Sequence, residues 1–221
     1  MLQKLIILFA KKISEILEVK NFELIMADGT GFGFEDSIFL SFKRGKELRK
    51  VKSHVMTEVL VTHTKGISFF VGVNTDKAYT EEGKLLLELL KEVEREGLLK
   101  GEFFVADSLY GNRIKVLEKF KLLGFKLVVN TKESLRRRIR HPLRKEAKEM
   151  YETNRDIYWK RYRIEQAIGI VKECFGDRDY TKKFYLAQIK TLIRFLAYNV
   201  GLFILLQFPF YSFFQTPSVF I

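Results

Sequence analysis

The chain is poor in cysteine, histidine and acid, and each shortage excludes something. Its one cysteine, Cys174, makes no internal disulfide and no cysteine-rich zinc site, and a single thiol suits a reducing interior compartment. The three histidines, His54, His63 and His141, have no His-x-x-x-His spacing, so the paired ligands of a helix-borne zinc site are missing. No repeat of about 20 to 50 residues and no low-complexity stretch is present, which argues against a solenoid or a disordered tail. The N-terminal apolar run is too short for a secretory leader and leads into Lys11 and Lys12, not a cleavage site. Acidic residues number 27 against 39 Lys and Arg in 221 residues, a formal charge of +12. That excess points to a polyanionic partner, with nucleic acid first and an anionic membrane surface second.

What is present suits one globular domain with a sizeable core. Residues 1–19 carry Leu5, Phe9, Ile13 and Ile16 at helical spacing. Strands are expected at 22–27 (closed by a turn at Asp28-Gly29), 37–42, 56–64, 66–74, 103–106 and 125–130, with a hairpin at Lys65-Gly66. Helices are expected at 80–96 with Thr80 as N-cap, at 113–123 closed by Gly124, at about 145–175 with a break near Thr153-Asn154, and at 183–206. The stretch 195–214 is apolar enough for a short membrane span, but Asn199, Gln207 and Pro209 interrupt it. A buried helix ending near Pro209 is the expectation, with no membrane contact.

Two strands have the same form. Glu23-Leu24-Ile25-Met26-Ala27-Asp28 and Glu102-Phe103-Phe104-Val105-Ala106-Asp107 are continuously apolar, as in a sheet buried on both faces, and each ends in a carboxylate. Sites gather at the carboxyl ends of such strands, so neighbouring strands would bring Asp28 and Asp107 together. A third element lies on the expected helix around residue 165, where Tyr158, Arg161, Glu165 and Lys172 fall on one narrow stripe beside the apolar Ile164, Ile168, Val171 and Phe175. An Arg161–Glu165 pair one turn apart accounts for two of the four residues, but not for all four on one line.

Tyr158-x2-Arg161-x3-Glu165-x6-Lys172 resembles the Y-R-E-K signature of DDE transposases of prokaryotic insertion sequences, the cut-and-paste group, in all four residues and all three gaps. The segments around Asp28 (Ala27 to Phe32) and Asp107 (Ala106 to Asn112) resemble that family's first and second Asp motifs. Lys52-Ser53-His54 and the Tyr198-Asn199 pair are similar to further family features. The resemblance covers roughly 22–206. It implies an α/β class: a ribonuclease H-like mixed sheet flanked by helices on both faces, with an N-terminal helix and a long C-terminal helix. It implies Asp28, Asp107 and Glu165 as catalytic and metal-holding residues, Asp28 shared between two Mg2+ or Mn2+ ions. Tyr158, Arg161 and Lys172 would grip DNA phosphates. The partners implied are double-stranded DNA, at element ends and target, and a second copy of the chain on DNA. The place implied is the prokaryotic cytoplasm.

The basic run Arg136, Arg137, Arg138 and Arg140 either tracks the DNA backbone or is a solvated loop, and the Lys and Arg residues at 43, 44, 46, 49, 50 and 52 form either a DNA-facing hairpin or a charged, soluble edge. Trp159 either packs or stacks on a base, packing being the expectation. Relatives usually carry more sequence before the first Asp. The division expected is therefore an N-terminal helix (1–19) left from a longer region, a catalytic domain (20–207) and an apolar tail (208–221). The competing readings are an inactive DNA-binding remnant and a membrane-anchored protein.

Overall fold

Strands that are apolar on both faces divide the protein between two cores. The computed structural model describes residues 1–35, 39–44, 47–131 and 139–208, with 39–44 and 47–52 as backbone only. In it β1 (Phe22–Phe34) turns Ile25 and Ala27 to one side and Leu24, Met26 and Phe32 to the other. The same period-two division holds for β4 (Val55–Thr64), β6 (Gly101–Ala106) and β7 (Lys126–Val129), and for β5 (Ile67–Lys77) on each side of the irregularity that follows Phe70. Leu60, Phe69, Phe104 and Leu127 go to the first core and Val59, Phe70, Val105 and Val128 to the second. The first core is closed by α2 (Glu82–Arg95) and α3 (Ile114–Leu122), the second by α6 (Tyr162–Phe175) and α7 (Phe184–Gln207). Helix α1 (Leu2–Ile16) lies over the sheet edge, with Ile6 in one core and Ile7 in the other.

The sheet order is β5-β4-β1-β6-β7, and the two-residue strand β8 (Arg178–Asp179) joins the far end of β1. β4 runs antiparallel to β1, β6 parallel to it, so the sheet is mixed. The hairpin between β4 and β5 turns at Lys65-Gly66, both at positive φ (49° and 79°), the conformation that matches strand twist in a two-residue connection.

Several expectations need correction. β1 does not turn at Asp28-Gly29 but continues to Phe34, because β4 stays paired with it, Asp28 opposite Val59 and Phe32 opposite Val55. Thr80 does not cap α2: its hydroxyl donates to Asp76 Oδ2 at 3.0 Å, and the helix begins at Glu82. β2 (Phe39–Arg44) pairs antiparallel with β3 (Glu47–Lys52), which makes the basic segment the hairpin that was one of its two readings, although no separate strand was expected at 47–52. The helical region expected over 145–175 breaks at Asn154 as expected and also at Lys160-Arg161, giving three helices, α4 (Pro142–Thr153), α5 (Arg155–Trp159) and α6.

Helix α7 is long and apolar enough to cross a membrane by length and composition. It is not fully buried as expected. Ala187, Thr191, Phe195 and Asn199, four apart, form its buried stripe, while Ile189, Ile193 and Ile204 are more than a third exposed. Asn199 on that stripe is buried to 0% exposure. Its Oδ1 accepts from Phe70 N (3.1 Å) and its Nδ2 donates to Phe70 O (2.8 Å) and Ile6 O (3.3 Å). Tyr198 Oη donates to Ser68 O at 3.0 Å. These two side chains sew α7 to the edge strand β5, where the register with β4 shifts between Leu60 and Val61.

Candidate active site

Ala27 of β1 sits opposite Ala106 of β6 in the parallel ladder, so the next residue on each strand is an aspartate, Asp28 and Asp107. Alternation assigns Asp28 to the face of α6, after Leu24 and Met26, whereas Asp107 stands one residue past the end of β6. Beyond Ala106 the chain leaves the sheet, and Asp107 Oδ1 accepts a hydrogen bond from Leu109 N at 2.8 Å as the turn Tyr110–Asn112 begins. Asp28 Oδ1 accepts from Gly29 N at 3.0 Å.

Helix α6 brings the third carboxylate. Ile164, Ala167, Ile168 and Val171 bury one side of it against the sheet. Arg161, at its N-terminus, hydrogen-bonds Glu165 one turn on and reaches Asp28 Oδ2 at 3.8 Å. One guanidinium therefore joins the acid on α6 to the acid on β1. Tyr158 belongs to the separate helix α5, so it does not share a continuous helical line with Glu165 and Lys172. It meets the group instead through its carbonyl, which accepts from Arg161 N at 2.9 Å, and its ring packs edge-on against Tyr151 at 4.6 Å. Lys172 Nζ lies 5.2 Å from the Phe32 ring centre, within the field of Asp28.

Crowded acids leave an electrostatic signature. Asp28 is raised from 3.8 to about 6, first by burial; Arg161 and the Gly29 amide oppose the shift, and Asp107 and Glu165 add to it. Burial lowers Lys172, with Asp177 and Asp28 opposing, and burial raises Tyr158. The donors here are hard carboxylate oxygens, the type Mg2+ and Mn2+ take. Among the described residues, however, no three His, Cys, Asp or Glu side chains already stand in metal-holding geometry. Arg161 supplies the positive charge between Asp28 and Glu165.

Two acids here escaped the reading of the sequence. Glu58 on β4, opposite Gly29, is fully buried, and Tyr110 Oη donates to its Oε1 at 2.7 Å. Burial holds Glu58 well above the usual carboxylate range, and Glu82, Asp28 and Asp107 push the same way. Glu82 is raised by burial and by Asp107 and Asp28, and its carboxyl lies over Gly29, where a Cβ would stand 2.9 Å from Cδ. A lone Glu inside the apolar run Val55–Thr64 was a visible signal for Glu58. Glu82 looked like an ordinary first-turn helix acid.

Of the other candidates, Arg140 is described and exposed, whereas Arg136, Arg137 and Arg138 lie outside the described residues, as do the side chains from 43 to 52. Trp159 is 70% exposed, so the packing role expected for it does not hold. His54, next to the Lys52-Ser53 pair, stacks edge-on with Tyr79 at 5.8 Å and lies against Gly31.

A relative from Aquifex aeolicus (strain VF5), an uncharacterized protein, is 44% identical over 200 residues, which is 90% of this chain and 61% of the relative. The chain thus spans about three fifths of the length of the relative it matches. Residues 22–200 match the model of the transposase DDE domain, an interval that begins at the first residue of β1 and ends within α7. With Asp28, Asp107 and Glu165 all inside a match that spans most of its length, the chain belongs to the transposase DDE domain family.

Proposed function

We propose that this domain cleaves and joins DNA strands at the ends of an insertion sequence, in a metal-dependent reaction on a ribonuclease H-like scaffold. The observation that carries the proposal is the in-register placement of Asp28 and Asp107 beside Glu165, which Arg161 ties to Asp28. Asp28, Asp107 and Glu165 would hold the ions, with Asp28 shared between them. Two Mg2+ or Mn2+ ions bound there would stabilise charge on the attacking and leaving oxygens of an in-line displacement at phosphorus.

The protein's own groups do the rest. Arg161 leaves its carboxylate partners and offers its planar fork to a DNA phosphate, while Lys172, held near Phe32, acts as a point charge. Tyr158, on a helix of its own next to Arg161, contacts the same DNA backbone. Arg140 extends the basic path, and Arg136, Arg137 and Arg138 belong to the same assignment. The division into N-terminal helix, catalytic domain and apolar tail belongs to the same reading, as do a homodimer on DNA and a cytoplasmic site of action.

The test is nicking of a supercoiled duplex with Mg2+ or Mn2+. Alanine at Asp28, Asp107 or Glu165 should abolish nicking and leave DNA retention unchanged or slightly stronger, since each substitution removes negative charge. Retention without metal-dependent nicking in the unmodified protein would favour a DNA-binding role without catalysis.

A further inference from the structure

We propose that Glu58 and Tyr110 are positioning residues that together fix the direction of the Asp107 carboxylate. The proposal rests on the reading of Asp107 as a metal-holding group.

Asp107 lies just past the end of β6, so the sheet does not determine its direction; the turn that follows it does. That turn is fastened at three points. Tyr110, at 0% exposure, extends under the sheet and donates to Glu58 on β4 at 2.7 Å. Gly111 fits against the backbone at 130–131, where a Cβ would stand 3.0 Å from Asn130 O and 2.8 Å from Thr131 Cγ2. Arg144 Nε donates to Gly111 O at 2.9 Å. Of the three, only the Tyr110–Glu58 bond reaches the strand beside Asp28, since Glu58 pairs with Gly29 across the β1–β4 ladder. It thus links the mount of Asp107 to the mount of Asp28.

Glu58 is a costly choice for a merely structural acceptor. It is fully buried and its Oε2 has no hydrogen-bond partner among the described residues; burial favours its uncharged form, the Tyr110 hydrogen bond opposes this, and three nearby acids add to it. A neutral carboxyl accepting from Tyr110 meets the geometric need without adding another negative charge beneath Asp28 and Asp107.

Mn2+ binding to the full chain, followed by loss of the free-ion electron paramagnetic resonance signal, tests this without reference to activity. Tyr110→Phe and Glu58→Ala should each weaken Mn2+ binding about tenfold or more, in line with losses at groups that orient metal ligands. The double variant should be no weaker than the worse single one, because both remove the same bond. Glu58→Gln, which keeps a neutral acceptor for Tyr110 Oη, should bind within about threefold of the unmodified protein on the same scale. Tyr110→Phe keeps the ring in place and carries the test even where Glu58→Ala fails to fold. Mn2+ binding unchanged in Tyr110→Phe, or as weak in Glu58→Gln as in Tyr110→Phe, overturns the inference. Asp107→Ala separates the two levels. If it abolishes binding while Tyr110→Phe does not weaken it, the metal reading stands and the positioning role falls; if it binds like the unmodified protein, both fall.

Discussion

The Arg161 guanidinium stands between Asp28, 3.8 Å away, and Glu165, to which it hydrogen-bonds, and it occupies the charge position that a cation would take. Removing it leaves two acids without their shared counter-charge. Arg161→Ala should lower metal-free stability by about 1 kcal/mol or more, since its side chain is only 24% exposed and Asp28 is largely buried. It should also push Asp28 above about 6, because Arg161 is the main group holding that value down. Chemical denaturation with and without Mn2+ measures the first effect. Added metal should recover more stability in Arg161→Ala than in the unmodified protein, and equal gains would argue that guanidinium and metal do not share a place.

Asp28 also sets a pH dependence. Its folded value of about 6 exceeds the unfolded 3.8, so between these values the folded chain keeps a proton that the unfolded chain has lost. Stability from this group is full below about pH 4, falls as pH rises toward 6, and is level above that, a loss on the order of 3 kcal/mol at most. Asp28→Asn should flatten this part of the stability–pH profile and make the metal-free protein more stable at neutral pH, less whatever the attraction to Arg161 contributed. A profile of unchanged slope between pH 4 and 6 would rule out the assignment.

Asn199 supports the fold away from the acids. Its amide pairs with both backbone groups of Phe70 and with Ile6 O, so Asn199→Leu leaves Phe70 N and O on the edge strand short of a partner, while Ile6 O keeps its bond within α1. The expected loss is at least about 2 kcal/mol at roughly 1 to 3 kcal/mol for a buried group left unpaired. Thermal unfolding measures it, and a loss confined to a few tenths would mean that β5 and α1 rearrange to satisfy those groups themselves.

The legible parts of the fold were those written as apolar runs. β1, β6 and β7 were legible as strands from their apolar runs, and the condition that β1 and β6 be neighbours, which brings Asp28 and Asp107 side by side, is met in the sheet. β3 was hidden because its backbone pairing is independent of its Lys and Arg side chains. The break at Lys160-Arg161 was also hidden, because both residues keep near-helical dihedrals (Arg161 φ −55°, ψ −29°) and no Pro or Gly marks the place. The apolar run around Glu58 signals that it is buried, but its partner Tyr110, 52 residues away, is encoded by no local pattern.

β1 is flanked on one side by β4 and on the other by β6, and both its faces are roofed by helices. Its amides from Leu24 to Ala27 should therefore be among the slowest in the molecule to exchange with deuterium, released only when the whole domain opens. Asp28 rides on the part of the chain that yields last, whereas Glu165 rides on a helix that reaches the sheet through four side chains. Any partial opening would carry Glu165 away first and leave the two strand-borne aspartates together.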